Sequence, residues 1–418
     1  MSPQAGTQSR HVAVMAVTAG ITAANLYYNQ PILAEIAGSF GMTPGQAGSL
    51  PVLTQAGYGL GLLALTPLGD MVDRRTLVVV LQGLLAAALA GMVAVGSLPG
   101  LYAASFLVGL LAVSVQVILP MAAVLAGGEA KGRVVGTVFT GILIGILSAR
   151  VVSGLVAEWL GWRWVYGLSA ALVLASTLAL ARVVPPLPSH HHGGYVALLR
   201  STLLQVRRFA PLRRAALLGA LVFGTFCSFW TTLTFHLSGP PFGYRSDVIG
   251  LFGLLAIAGA LAAAVVGRLA DGRDAARLQL LTVGLVAVSV LCVQVWPASA
   301  AAFVVATLLL DVGVQATQSG NLTQIYALDE TAHSRINTVY MTTTYVGGAV
   351  GTAAGVAAWT LGGWPAVCWQ LLAWCALALA VAATGLRDAA PPAVPEDPRH
   401  APAKALEAVR QDEGAPLP

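Results

Sequence analysis

The stretch "PLGDMVDRR" at residues 67–75 joins two long apolar runs, and a related stretch occurs later in the chain. Its counterpart, "VVGRLADGR" at residues 265–273, shares the pattern G-x-x-x-D at a constant offset of 198 residues. Gly61 and Gly259 match at the same offset. A repeat at corresponding positions indicates internal duplication, so we expect two similar halves. The motif positions are Gly69, Asp73, Gly267 and Asp271.

The composition is that of an integral membrane protein. Of 418 residues, 57% are hydrophobic and 9% are charged, and the mean hydropathy is +0.79, whereas soluble domains carry about 25% charged residues. The excess of 22 Lys and Arg over 17 Asp and Glu accompanies no nucleic-acid-binding motif. It therefore indicates membrane topology, and no nucleic acid partner is expected. The four cysteines lie in apolar runs without metal-binding spacing, so we expect no metal or other cofactor.

Twelve apolar runs are long enough to cross a bilayer, which takes about 20 residues for a helix. The first run begins after Arg10 and is too long for the core of a signal peptide, so we interpret it as an uncleaved span. The sequence therefore predicts an all-α membrane protein with twelve transmembrane helices. The runs are residues 11–34, 48–68, 77–97, 99–125, 134–157, 163–183, 214–237, 247–269, 277–296, 298–326, 335–360 and 364–386.

Basic residues indicate how these helices are oriented, because Lys and Arg favour cytoplasmic loops. If the N-terminus is cytoplasmic, 19 of the 22 basic residues fall on that side. The exceptions are Arg163 and Arg245 outside and Arg150 within the bilayer. Tryptophans cluster at the outer ends, as expected of an interfacial belt. We therefore expect a multi-pass protein of the plasma (inner) membrane with both termini in the cytoplasm.

A long polar break divides the spans into two sets of six. We predict an N-terminal cytoplasmic segment, a first six-helix bundle, a cytoplasmic linker, a second six-helix bundle and a disordered cytoplasmic tail. In the linker, apolar residues share one face of an amphipathic helix that would lie on the membrane, and the three adjacent histidines at 190–192 cannot easily all bind one metal ion. The predicted boundaries are 1–10, 11–183, 184–212, 213–387 and 388–418.

The loop at 67–75 resembles the signature of the major facilitator superfamily, which reads G-x-L-A-D-R-x-G-R-K between the second and third helices. Gly69, Asp73, Arg74 and Arg75 match it, whereas Thr76 replaces the second glycine. "NLYYNQP" in the first span and "GILIGILSAR" in the fifth also resemble a bacterial branch related to drug and sugar efflux proteins. This resemblance implies two six-helix bundles related by a pseudo-twofold axis, which rock around a central substrate site by alternating access.

The two loops are candidate conformational latches. Their glycines allow helices to approach closely, and their charged residues can form cytoplasmic contacts that exist in one conformation and break in the other. The alternative is a topological anchor that only follows the positive-inside rule. The residues concerned are Gly69, Asp73, Arg74, Arg75, Gly267 and Asp271.

Away from the ends of the spans, only Asp311 and Arg150 carry a formal charge. A charge at mid-membrane costs about 2.5–3.5 kcal/mol on insertion scales, so each is a candidate functional residue. Gln315 and Gln318 follow Asp311 on an approximately helical stripe, and the resemblance implies that this helix lines the central cavity. A buried carboxylate suits reversible protonation, which makes Asp311 a candidate for proton coupling or substrate contact. Alternatively, it only packs helices as a neutral or hydrogen-bonded group.

Arg150 lies about 12 Å below the outer end of its helix. It is level with "NLYYNQ" at residues 25–30 of the first span, which we call the polar patch. Three alternatives remain open. The side chain snorkels outward, or it ties its helix to the first span, where Asn25, Tyr28 and Asn29 offer partners. In the third alternative it binds an anionic or polar substrate, or balances Asp311. A direct Arg150–Asp311 pair would join the two halves only when the outer side is closed.

Gly141 and Gly145 in the fifth span resemble the antiporter signature G-x-x-x-G-P-x-x-G-G, although Ile146 stands where the proline belongs. Together with Gly154, they are predicted to form one helix-packing face. In the fourth span, Gln116 is a further candidate for the wall of the cavity.

These features predict a secondary active transporter that works by alternating access and couples protons to the efflux of a small organic molecule such as a drug, sugar or metabolite. Proton symport and uniport remain alternatives. A receptor without transport would not need the duplicated loop, and an enzyme should show a cluster of His, Asp or Glu, or a nucleophile arrangement, at one face. The expected partners are a small-molecule substrate, protons and the lipid bilayer, and we expect a monomer.

Overall fold

The computed structural model describes residues 3–126, 131–187, 194–269, 275–329 and 332–388, which form α-helices, one 3-10 helix and connecting turns. Asp271, the histidines at 190–192 and the tail beyond residue 388 lie outside the described residues. The helices are α1 (Pro3–Ala24), α2 (Leu33–Phe40), α3 (Pro44–Ala64), α4 (Arg74–Ala94), α5 (Leu98–Ala112), α6 (Ser114–Ala126), α7 (Lys131–Leu160), α8 (Trp162–Val183), α9 (Tyr195–Arg208), α10 (Ala210–Ser238), α11 (Ser246–Leu269), α12 (Ala275–Val295), α13 (Ala300–Tyr326) and α14 (His333–Asp388).

Apart from the first span, the helices coincide with the predicted spans, and the all-α membrane fold is confirmed. In the described part of the chain, eight helical segments are individually long and apolar enough to cross a bilayer. The fourth span is divided between α5 and α6, and the last two spans form the single element α14, which breaks at Gly362 and Gly363. Gly363 has a φ of 61°, which residues with a side chain rarely adopt. The glycine pair therefore separates the eleventh span from the twelfth.

Side-chain caps define several helix starts. At the start of α3, Thr43 and Gln46 form a reciprocal capping box, and Pro44 occupies the first turn. Ser97 and Ser299 cap α5 and α13 by accepting hydrogen bonds from the backbone N–H groups of residues three positions on. These caps satisfy backbone donors at the helix ends, which permits the short connections between neighbouring spans.

The first span is not helical throughout, which differs from the prediction for residues 11–34. The helix α1 ends at Ala24, and residues 25–32 form successive turns before α2 begins. Nδ2 of Asn25 donates to the backbone oxygen of Ile21 at 2.8 Å, so the side chain competes for a helical acceptor. Pro31 has no N–H and disfavours a helical conformation in the residue before it. The polar patch of the first span therefore lies on an irregular segment.

Two helix pairs hold the halves of the molecule together, namely α3 with α14 and α7 with α11. Within the first half, α1 packs on α7, α3 on α5 and α4 on α8, and within the second half α10 packs on α14 and α13 on both α11 and α12. The chain thus forms two six-helix bundles that repeat the same arrangement. We call the end of the molecule that carries α9 and Arg74 the linker end, and the end that carries Glu158 and Arg245 the far end.

The helix α9 lies against the linker end. Its residues Leu198, Thr202 and Gln205 are buried, and the hydroxyl of Tyr195 donates to the backbone oxygen of Ala64 at 2.8 Å. Other apolar residues of the same helix, including Val196 and Leu203, are exposed. The helix therefore presents one face to the protein and leaves an apolar face uncovered.

Candidate functional site

Arg150 is buried between the two halves, with 1% of its surface exposed. Its Nε donates to Oε1 of Gln30 at 2.8 Å. The guanidinium carbon lies 4.1 Å from the ring centre of Trp230, 4.9 Å from that of Tyr27 and 5.5 Å from that of Phe226. A desolvated cation–π contact is worth about 2 kcal/mol, so the rings offset part of the cost of burying the charge. Because Gln30 and Tyr27 belong to the first half and both other rings to the second, the side chain bridges the halves.

The direction of Arg150 follows from helix geometry. At 3.6 residues per turn, Arg150 lies about 40° from Gly154 around α7 and about 140° from Gly145. A Cβ atom on Gly154 would overlap the backbone of α11, whereas one on Gly145 would overlap the backbone of α1 at Gly20. Arg150 therefore shares the face that meets the second half, and a Cβ on Gly253 of α11 would lie 2.9 Å from its Cβ.

This geometry corrects the prediction of a single glycine face. Gly141 and Gly145 pack α7 closely against α1 within the first half, and Gly154 packs α7 against α11 of the second half. The reason is the spacing, because nine residues separate Gly145 from Gly154 and correspond to about two and a half turns. The three glycines therefore serve two opposite contacts.

Asp311 lies in α13 and is also buried, with 2% of its surface exposed. A Cβ atom on Gly259 would lie 2.6 Å from the Cβ of Asp311, so α11 contacts both charged residues. The contact positions Gly253 and Gly259 are six residues apart, or about 9 Å along α11. The two charges interact electrostatically, but no hydrogen bond or ion pair joins them in the described part of the chain. The direct Arg150–Asp311 pair is therefore not formed in this conformation.

Buried polar atoms around these charges have no hydrogen-bond partner. They include Nη2 of Arg150, Oδ2 of Asp311 and Nε1 of Trp230. An unsatisfied buried donor or acceptor costs about 1–3 kcal/mol, and more when it is charged. Within a bilayer, lipid tails cannot satisfy such groups. The centre of the protein therefore contains polar groups whose hydrogen-bonding capacity is not used in this conformation.

A column of aromatic rings separates this centre from the linker end. Tyr58 and Tyr345 have ring centres 4.3 Å apart and come from opposite halves. Phe223 continues the column, 5.0 Å from Tyr345 and 5.7 Å from Phe226. Nε2 of Gln116 donates to the hydroxyl of Tyr58 at 2.9 Å. The column therefore closes the centre on this side.

Below the column, a cleft of about 460 Å³ lies between the halves. Gln116, Gly69 and Arg74 line it from the first half, and His333 and Asn337 face them from the second. The cleft therefore separates the two halves at the linker end and reaches the floor formed by Gln116.

The far end of the molecule is closed. The hydroxyl of Thr234 in α10 donates to the backbone oxygen of Gln30 at 2.9 Å and so joins the halves. Gly48 of α3 packs directly against α14, and Arg245 forms an ion pair with Glu158 across the other seam. The halves therefore touch at the far end and part at the linker end.

The structure places the other predicted residues of the first span away from the guanidinium. Asn25 accepts a hydrogen bond from the hydroxyl of Ser169 at 2.7 Å, and Asn29 donates to Thr54 at 3.2 Å. Tyr28 lines a lateral groove between α1 and α7. The partners of Arg150 in this span are thus Gln30 and Tyr27, because the irregular segment turns Asn25 towards α8 and Asn29 towards α3.

The predicted glutamines in α13 are half-buried and do not join Asp311 in a hydrogen-bonded stripe. Gln318 borders a small void beside α10 and α14, and Gln315 makes no hydrogen bond among those found in the described residues. The buried polar contacts of α13 are made instead by Thr317, which donates to Thr282 at 2.8 Å, and Asn321, which accepts from Gln279 at 2.7 Å.

The loop after α3 forms contacts within the first half. Asp73 caps α4, and its carboxylate accepts hydrogen bonds from Thr76 and from the backbone N–H of Leu187. Arg74 pairs with Asp70 at 2.9 Å rather than with Asp73. Burial alone would raise the pKa of Asp73, but the hydrogen bonds from Thr76 and Leu187 hold that pKa below its ordinary value.

Two other residues of the predicted latch, Arg75 and Gly69, also contact the first half. Arg75 donates to the backbone oxygen of Ala181 in α8, so it too binds within the first half. Gly69 packs against Val117 of α6. Gly267 lies in α11, and its partner Asp271 falls outside the described residues. In this conformation the described part of the loop stabilises the first bundle and faces the open cleft.

Sequence reasoning did not identify the aromatic residues around Arg150. Trp230 and Phe226 lie in an apolar helix where aromatic side chains are ordinary, so nothing in the pattern distinguishes them. Gln30 lies within the polar patch and could have been proposed with its neighbours. In the described residues, no group of three or more His, Cys, Asp or Glu is suited to bind a metal ion.

Two helical bundles that touch at one end and part at the other, with charges buried between them, define an integral membrane transporter. The chain belongs to the major facilitator superfamily, because the sequence profile of that family matches residues 15–352. Like the family and its relatives, it is a membrane-spanning transporter for small molecules and not an enzyme.

Individual relatives and solved structures agree with this family. The chain is 38% identical over 357 residues to "Uncharacterized transporter YgaY" of Escherichia coli O157:H7, covering 85% of this chain and 91% of that protein. It is 32% identical over 373 residues to "Probable transporter SCO4007" of Streptomyces coelicolor, covering 88% and 86%. The fold is similar to the crystal structure of a bacterial homologue of the human lysosomal transporter Spinster in an inward-facing and occupied conformation. That similarity has a TM-score of 0.72 at 12% identity and covers 93% of this chain and 98% of that one.

Proposed function

We propose that the protein is a proton-coupled secondary transporter that exports a small organic molecule by alternating access. The observation that carries the proposal is the position of Arg150, a residue of the first half whose guanidinium lies against Trp230 and Phe226 of the second half. These contacts require the far end to be closed. Opening the far end would withdraw the guanidinium from both rings, so the contact would bias the equilibrium between two states.

The orientation of this cycle rests on charge. The linker end carries most of the arginines, and basic residues favour the cytoplasmic side. We therefore propose that the linker end faces the cytoplasm, with both termini on that side of the inner membrane. In this orientation the cleft at Gln116 opens to the cytoplasm, and the contact of Thr234 with Gln30 closes the outer side.

Asp311 is the proposed proton-binding residue. It is buried, its Oδ2 lacks a hydrogen-bond partner, and it interacts with the charge of Arg150 without forming an ion pair. Protonation would remove the negative charge of Asp311 and with it the electrostatic attraction that Asp311 exerts on Arg150. Moving one elementary charge through 100 mV supplies about 2.3 kcal/mol, which is enough to drive accumulation on one side. Because one chain supplies both halves of the site, we propose that the monomer is sufficient.

The residues of the loop at 67–75 are proposed to act in the opposite state. Gly69 and Arg74 face His333 and Asn337 across the cleft, so closing the linker end would bring charged and polar groups together. Contacts formed only in that state would balance the far-end contacts, which is the physical content of a latch.

Spin-label distances test alternation and its proton dependence without knowledge of the substrate. One label pair, at Gly38 and Leu361, reports on the far end, and a second pair, at Val72 and Ser334, reports on the linker end. In nanodiscs, we expect the two distance distributions to change in opposite directions between acidic and alkaline pH. Distance distributions that do not change with pH would contradict proton coupling. Distributions that never show a far-open state would contradict alternating access.

Substitutions assign the effect to the two charges. Asp311→Asn should abolish the pH dependence, and Arg150→Lys should increase the far-open population because lysine cannot replace the stacked guanidinium. Arg200→Gln, which removes an exposed charge on α9, is the matched control. A ligand found by thermal shift then allows its flux into proteoliposomes to be measured, which decides the direction of transport. Antiport and symport require opposite responses of this flux to an imposed pH gradient, and uniport requires no response.

A further inference from the structure

The unpartnered atoms at the centre differ in kind, and their arrangement indicates what would satisfy them. Nη2 of Arg150 and Nε1 of Trp230 are donors, and the guanidinium carbon is 4.1 Å from the ring centre of this tryptophan. Oδ2 of Asp311 is an acceptor. A ligand that satisfies all three must therefore carry an acceptor at one end and a donor at the other.

The donor end of the site is shaped for a carboxylate. Gln30 occupies Nε of Arg150, so the two terminal nitrogens of the guanidinium form its free edge. Arginine binds carboxylates through two parallel hydrogen bonds from such an edge. The rings of Tyr27, Phe226 and Trp230 hold the guanidinium in place, so its edge is oriented before a ligand arrives. The indole N–H of Trp230, on the ring that packs against the guanidinium, is a further donor without a partner.

The acceptor end is shaped for an ammonium group. Asp311 contacts α11 at Gly259, about 9 Å further along that helix than the contact of Arg150 at Gly253. The carboxylate therefore does not fill the edge of the guanidinium in this conformation. A cationic donor placed between the two charges would bind Oδ2 of Asp311 while an attached carboxylate binds Arg150.

Charge balance favours a ligand with both groups over a ligand with one. Arg150 and Asp311 together carry no net charge, and an uncompensated charge in a closed membrane site costs several kcal/mol. An anion or a cation would leave such a charge, whereas a zwitterion would not. We infer that the cargo is a small zwitterion, with its carboxylate on Arg150 and Trp230 and its ammonium group on Asp311. This inference rests on the proposed function, because it names the substrate class of the same site.

A matched ligand series tests the inference by calorimetric titration of the full-length protein in nanodiscs. Alanine, leucine and tryptophan are zwitterions of increasing size. Isocaproate is leucine without its ammonium group, isopentylamine is leucine without its carboxylate, and inositol is a neutral polyol. We expect at least one zwitterion to bind. Leucine, if it is that ligand, should bind about tenfold or more tightly than either fragment, since each hydrogen bond to a charged group contributes at least that factor.

Two variants separate binding from a purely structural effect. Trp230→Phe keeps the ring and removes the N–H, so it should weaken zwitterions and isocaproate about tenfold and leave isopentylamine unchanged. Asp311→Asn should weaken zwitterions and isopentylamine and strengthen isocaproate, because the carboxylate of isocaproate then neutralises Arg150 without leaving a net charge. A structural role alone would weaken all ligands equally. Arg200→Gln on the exposed face of α9 should change none of them.

Several outcomes would overturn the inference. They are a fragment that binds as tightly as its zwitterion, a preference for inositol, the absence of binding by all three zwitterions, and equal weakening of every ligand by both variants. The label distances at the far and linker ends measure the proposed function separately. If they respond to pH while no zwitterion binds, the substrate class is wrong and the transport mechanism stands.

Discussion

Replacing Gly154 by alanine should open the far end of the protein without unfolding it. The new Cβ would lie 3.1 Å from Cα of Gly250 and would overlap the backbone oxygen of Ser246, whereas carbon atoms pack comfortably at about 3.5–4.0 Å. The helices α7 and α11 must therefore move apart where the two halves meet. Overpacking of this kind costs about 1–3 kcal/mol. Only the far-closed state contains the contact, so the population ratio should shift towards the far-open state by about 5- to 150-fold.

Gly145→Ala is the matched control. Its Cβ would overlap the backbone of Gly20 just as severely, but both glycines belong to the first half and stay together in either state. This variant should lower the thermal unfolding midpoint and leave the ratio of states unchanged. The assay is the distance distribution between labels at Gly38 and Leu361. The reasoning is refuted if Gly154→Ala leaves that distribution unchanged, or if Gly145→Ala shifts it as much.

Three further predictions concern individual polar contacts. Asp73→Ala should lower the free energy of unfolding by about 0.5–2 kcal/mol through loss of the cap of α4. Because the pKa of Asp73 lies below its ordinary value of 3.8, the difference from wild type should be present above that value and vanish as the pH falls through the lowered pKa; a difference that persists in strong acid would contradict this. Gln30→Leu leaves Nε of Arg150 without a partner and should cost about 1.5–3 kcal/mol, seen as a lower unfolding midpoint, while Gln30→Glu, which keeps an acceptor, should lose less. Arg245→Gln removes an exposed ion pair with Glu158 and should change the far-end population by no more than about 1 kcal/mol; an effect that survives high salt would rule out this electrostatic explanation.

The candidate site was only partly predictable, and Arg150 illustrates both sides. Its charge within a long apolar run made it a candidate functional residue, because burying a guanidinium in a membrane is costly wherever the helix faces. Its partners were not predictable to the same degree. The first span was expected to be a regular helix, in which Asn25, Tyr28 and Asn29 were the candidates. The irregular segment at residues 25–32 presents Tyr27 and Gln30 instead.

The sequence alone determined three properties: the number of spans, the duplication of the two halves and the identity of the two buried charges. These properties depend on the transfer of each segment into lipid and on spacing along the chain, and both can be read residue by residue. Only the tertiary structure decided that Gly154 faces α11, that Gly145 faces α1, and that Trp230 and Phe226 enclose Arg150. A helix that is apolar on every side has no polar stripe to indicate which face meets a neighbour. In a bilayer that choice is made by the close fit of small residues and backbone between helices, and such a fit exists only when both surfaces are present.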